Sequence, residues 1–165
     1  MKDSDSIVIK FDGENKQVSK ASDAAAVIAN LKQVLADLHV LTALTHNAHW
    51  NVEGFNFIAL HKEFGDEYDA AFEETDTIAE RIRRLGQYVD VDLAEFKSAA
   101  GIIVPVAPIG DKEWVAAVLA GQEKVVADLK ALEAVSGWDL STQNLATTLI
   151  DGHTKTVWFL RSLLK

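Results

Sequence analysis

His49, His61, Asp76 and Glu80 are the side chains of this chain best suited to chemistry by type and spacing. Imidazole and carboxylate together suit iron or zinc better than a soft metal. The residues sit in two stretches, His49-Trp50-Asn51-Val52-Glu53-Gly54 leading to Leu60-His61, and Asp76-Thr77-Ile78-Ala79-Glu80-Arg81. Asp76 and Glu80 are four residues apart, so they share one face of a helix. His61 lies 15 residues before Asp76 on the same predicted helix, about 22 Å away at about 1.5 Å per residue. One ion cannot be held by both within a single chain. A two-fold dimer with antiparallel copies of this helix removes the conflict, because His61 then meets the partner subunit's Asp76 and the partner subunit's Glu80. A site inside one bundle would instead use Glu-x-x-His on two inward-facing helices. No glutamate stands three residues before any of the five histidines, so that arrangement is absent.

The elements that must position these groups follow from periodicity. Ser22 or Asp23 caps the predicted first helix. Its apolar residues Val27, Ile28, Leu31, Val34, Leu35, Leu38 and Leu41 keep the three-four spacing, and it runs to about Asn51, before Gly54. The second helix is predicted from about Phe57 to Leu85, with Gly86 as its stop. Its acid-rich start and its end at Arg81, Arg83 and Arg84 follow the order the helix dipole favours. Residues 87–110 form a long connection holding both prolines, Pro105 and Pro108, and one short helix at Asp92-Leu93-Ala94-Glu95-Phe96. A third helix is expected from about Asp111 to Val135, and a fourth from about Ser141 to Leu164, with Gly137 between them. Four helices with one long crossover give an all-α fold, a ferritin-like four-helix bundle with a short helix in the crossover between helices 2 and 3. Residues 1–20 read as a flexible tail and residues 21–165 as one domain. His39, His46 and His153 read as structural, and Trp50, Trp114, Trp138 and Trp158 as core or interface residues.

The bulk properties set outer bounds. At 165 residues and 48% hydrophobic, the chain has the size and apolar content of one domain. It has no cysteine, which excludes disulfides, thiolate metal sites and a cysteine nucleophile. Charge or polarity interrupts every apolar stretch, so no membrane span is expected. The acidic, polar opening Met1-Lys2-Asp3-Ser4-Asp5 does not read as a signal peptide, so a cytoplasmic location is expected. A formal net charge of −9 repels phosphate backbones and concentrates cations.

The pattern from His49 to Gly54, with Phe57, Leu60-His61, Phe64 and the Asp76-to-Arg81 stretch, closely resembles the signature of the Dps family of ferritin-like shells. The end of the chain, with Trp158 and Leu163-Leu164, also looks like that family, and the resemblance spans roughly residues 22–164. It implies a hollow homododecamer of four-helix bundles that oxidises Fe(II), usually with hydrogen peroxide, and stores the ferric mineral inside as protection against oxidative stress. It implies a ferroxidase centre at the two-fold interface, where His49 and His61 come from one subunit and Asp76 and Glu80 from its partner. Glu80 would serve both iron positions, and Trp50 would stand beside the centre to intercept oxidising equivalents.

This chain departs from the family pattern in two places. The family usually carries an aspartate four residues after the second histidine, where this chain has Gly65. Asp69, closer to the right helix face, or the adjacent Asp66 would have to stand in for it. The first iron position, from His49, Asp76 and Glu80, is then intact and the second is weakened. The alternative function is a structural or DNA-protecting shell with an impaired ferroxidase centre. At the start of the fourth helix, Asp139 can supply a pore acid, but Asn144 replaces a second one. In residues 1–20, Lys2, Lys10, Lys16 and Lys20 balance Asp3, Asp5, Asp12 and Glu14, so tight DNA binding is not expected.

Overall fold

The computed structural model describes the backbone of residues 14–165 and the side chains from Asp23 onward. Five helices follow one another: α1 (Glu14–Asn51), α2 (Phe57–Arg84), α3 (Leu93–Ala100), α4 (Asp111–Val135) and α5 (Leu140–Leu163). α1 and α2 form one helical hairpin and α4 and α5 the other. α1 also packs on α4 and on the crossover helix α3.

Three boundaries differ from the sequence expectation. α1 starts at Glu14 rather than at Ser22 or Asp23. No proline or glycine lies between Gly13 and Gly54, so nothing forces a break at the polar residues that resemble caps. The expected tail therefore overlaps helix from Glu14 on, and its first 13 residues lie outside the described ones. α3 runs four residues beyond Phe96, to Ala100. Gly101 ends it in the left-handed conformation, at φ 65°. α5 starts at Leu140, one residue before the expected Ser141, with Asp139 as its cap.

The predicted stripe on α1 is the centre of the core. Val27, Leu31, Val34, Leu38 and Leu41 are buried against Phe64, Ile78 and Ile82 of α2 and Trp114, Val118 and Val125 of α4. By length and composition alone Asp23–Asn51 is apolar enough to cross a membrane. Its apolar residues are spent on this core. The crossover is tied down by two amides of α1, with Gln33 Nε2 donating to the Ala99 carbonyl at 3.1 Å and Asn47 Nδ2 to the Pro105 carbonyl at 3.0 Å. Of the four tryptophans only Trp114 is in the core, while Trp50, Trp138 and Trp158 are exposed on the single chain.

Candidate metal centre

His49 ends α1 and His61 stands in the second turn of α2. The tight connection between the helices contains Gly54 at φ 108°, a conformation that favours glycine. The hairpin brings the two imidazoles face to face, with ring centroids 3.7 Å apart. Each ring is fixed by the other's backbone. His49 Nδ1 lies 2.6 Å from the His61 carbonyl, and His61 Nδ1 lies 2.8 Å from the His49 carbonyl. A carbonyl oxygen only accepts, so both Nδ1 atoms carry the proton. In that singly protonated tautomer the Nε2 lone pairs are left for a ligand. A carbonyl holding the far ring nitrogen in this way is what orients metal-binding histidines. The His49 carbonyl belongs to the last turn of α1, where helical partners run out, so His61 also caps that end.

Gly65 has a local reason. A Cβ built there would lie 3.2 Å from both Nδ1 and Cε1 of His49. The His49 ring thus lies over the bare backbone of α2 at this turn. Asp66, one proposed substitute, is exposed and paired with Lys62. Asp69 is exposed and makes no ion pair among the described residues. Asp76 and Glu80 are exposed on the same unbroken helix, far along from His61. Glu80 is 3.6 Å from Arg84, a loose surface pair. Among the described residues no three histidine or acidic side chains converge on one point. The single chain therefore brings His49 and His61 together and leaves Asp76 and Glu80 apart from them.

The aromatic surroundings include a residue the sequence reading passed over. Tyr68 stacks on His46 at 4.1 Å and meets His49 edge-on at 5.3 Å. Trp50 covers the opposite side, 4.1 Å from the His46 ring. Tyr68 is seven residues after His61, close to the same helix face, and that spacing was the available signal. His46 is structural in the sense expected, a filler between two rings.

Two further polar groups lie away from this pair. Arg81 of α2 donates from Nε to Thr142 Oγ1 at 2.7 Å and pairs with Asp139. Burial alone would raise Asp139, but hydrogen bonds from Thr142 and Arg81 outweigh it and hold the carboxyl below its ordinary value. In the single chain Asp139 thus caps α5 and pairs with Arg81. Glu67, on the inner face of α2, is pushed up to about 7 by burial, against the lowering effect of the Thr156 hydrogen bond.

Comparison with known proteins places this geometry in a family. The ferritin-like domain family matches residues 28–165. The DNA protection during starvation protein of Brevibacillus brevis is 31% identical over 148 residues, covering 88% of this chain and 99% of that protein. The crystal structure of antigen TpF1 from Treponema pallidum superposes with a TM-score of 0.84 at 29% identity, covering 88% of this chain and 95% of that one. The Dps protein of Vibrio cholerae O1, described as a member of a broad superfamily of ferritin-like diiron-carboxylate proteins, superposes with a TM-score of 0.83 at 25% identity, covering 87% and 92%. With its all-helical bundle, its crossover helix and its paired histidines, the chain belongs to the Dps family of ferritin-like iron-storage proteins.

Proposed function

We propose that this protein is an iron-oxidising and iron-storing dodecameric shell that consumes hydrogen peroxide, with its ferroxidase centre at the two-fold subunit interface. The observation that carries the reading is the His49–His61 pair, whose Nδ1 atoms are both committed to carbonyls. Both Nε2 atoms are left for an ion, and among the described residues no carboxylates gather with the two rings to complete its shell. Asp76 and Glu80, four apart and exposed on α2, are the groups an antiparallel copy would bring to the pair. The description of the Vibrio cholerae Dps as a diiron-carboxylate protein supports the same chemistry.

In this reading Fe(II) is the substrate. Two Fe(II) each give one electron to hydrogen peroxide. Its O–O bond breaks, and with two protons it becomes two waters. The histidines and carboxylates would bind and align the ions, with Glu80 serving both positions. Trp50, exposed beside His46, is placed to supply an electron to an escaping oxidant.

Anaerobic Fe(II) titration followed by peroxide tests this. The expected result is one firmly bound and one weakly bound Fe(II) per half-site, with fast oxidation that Glu80→Ala abolishes and His61→Ala limits to one position. Unaltered fast oxidation in Glu80→Ala would remove the reading. A wild-type shell that assembles without oxidising Fe(II) would establish the alternative, a structural or DNA-protecting shell. Gly65→Asp restores a carboxylate but must move the His49 ring by a few tenths of an ångström. Gly65→Ala isolates that steric effect. Stronger second-site binding in Gly65→Asp but not in Gly65→Ala is expected. No change in either directs the search for the missing ligand to Asp69.

A further inference from the structure

α2, α4 and α5 enclose a polar chain that the centre above does not use. Thr156 Oγ1 donates to Glu67 Oε1 at 3.0 Å, and Gln122 Nε2 donates to Glu67 Oε2. The other end of the Gln122 amide, its carbonyl oxygen, faces His153 Nδ1. That oxygen only accepts, so Nδ1 carries a proton, and in the singly protonated ring His153 Nε2 presents a lone pair. Nε2 lies 2.9 Å from Glu74 Oε2. Both atoms are buried and neither makes a hydrogen bond among the described residues. His153 as a whole is only 5% exposed. Two acceptors so close repel each other unless something positive lies between them. The separation matches the roughly 3.0 Å between neighbouring ligands of an octahedral ion with bonds of about 2.1 Å. The pair opens onto a cleft of about 390 Å³, whose lining includes Glu63, Asp66 and Glu67 as well as Lys155. The cleft has room for the waters that would complete a coordination shell.

We propose that His153 Nε2 and Glu74 Oε2 bind a divalent cation of intermediate hardness, of the Zn(II), Co(II) or Fe(II) class, between α2 and α5. A mixed imidazole and carboxylate donor set selects that class. Among the described residues no third histidine or acid converges on the same point, so water fills the remaining positions and the ion exchanges readily. The site shares no residue with His49, His61, Asp76 and Glu80, and it stands or falls independently of the ferroxidase reading.

Crystals of the full chain soaked in Co(II) and measured at the cobalt absorption edge provide the test, in the wild type and in Glu80→Ala. The expected result is an anomalous peak within bonding distance of both atoms in both proteins. His153→Gln should abolish it. Because His153 is buried, Glu74→Gln serves as a second variant and should also abolish the peak. In solution, Zn(II) should shift the ¹⁵N resonance of His153 Nε2 in the wild type and not that of Nδ1. No peak at saturating Co(II), or a peak that survives Glu74→Gln, overturns the proposal. So does a His153 Nε2 that keeps its proton when Zn(II) is added. Nε2 and Oε2 are then joined by a proton in an imidazolium–carboxylate pair.

Discussion

Asp37 shows how one buried group can set a pH dependence away from any functional site. It is fully buried on α1, accepts from Gln33 Nε2 at 3.1 Å and lies 3.6 Å from Lys124 Nζ. Burial first, and then the neighbouring Asp128, push its carboxyl up to about 8. Asp128 is held low by hydrogen bonds from Asp37 and Lys124 that outweigh its burial. The folded chain therefore keeps a proton on Asp37 that the unfolded chain releases. The sign follows by linkage: stability falls as pH rises from the unfolded value of 3.8 through about 8, and is flat above that window. Asp128 contributes in the opposite sense, with stability present above its unfolded value and lost as pH falls. Asp37→Asn keeps a neutral side chain of the same shape and removes the first slope. Its stability relative to wild type is expected to rise between pH 5 and pH 8 in thermal melts. An equal difference at both pH values would show that Asp37 does not titrate in this window.

At the scale of the element, caps and close approaches hold the helices in register. Asp92 caps α3 through two backbone amides, Ala94 at 2.9 Å and Glu95 at 3.1 Å. Asp92→Ala should cost about 0.5–2 kcal/mol, the usual loss of an N-cap. Denaturant unfolding measures that loss, and hydrogen exchange confined to residues 93–100 locates it. At Gly121 of α4 the side chains of α1 come close, since a Cβ there would meet Leu41 Cδ1 at 3.0 Å and Leu44 Cδ2 at 3.1 Å. Gly121→Val should overpack this contact and destabilise by about 1–3 kcal/mol. The midpoint of denaturant unfolding reports it. A midpoint equal to wild type would show that the two leucine ends swing aside freely.

The whole molecule carries features that a lone chain does not explain. Ile103 and Val106 in the crossover are 81% and 87% exposed, and Trp158, Phe55 and Ile58 are also open to solvent. Apolar surface on this scale marks association. Sedimentation is expected to give a closed dodecamer at micromolar concentration, and a stable monomer there would contradict it. The net charge of −9 argues for weak or no DNA binding. A mobility shift should vanish at about 150 mM salt, and one that persists would show that residues 1–20 act together across many subunits.

The sequence by itself determined the helices, the crossover and the identity of the candidate ligands. Local signals suffice for these: the three-four stripe of α1, the glycine at 86 after the basic end of α2, and the spacing of His49, His61, Asp76 and Glu80. It misplaced the start of α1, because Ser22 and Asp23 resemble caps although nothing before them stops a helix. Tertiary structure alone decided the rest. Periodicity cannot say that His49 and His61 exchange Nδ1 hydrogen bonds with each other's carbonyls, because that depends on the angle of the hairpin. It cannot say that Gly65 makes room for an imidazole, since the ring comes from another helix. Nor could it join Glu67, Gln122, His153 and Glu74, which lie on three helices up to 86 residues apart in the chain. Helical spacing is a property of consecutive residues, whereas proton direction, close approach and ligand pairing arise only where separate helices meet.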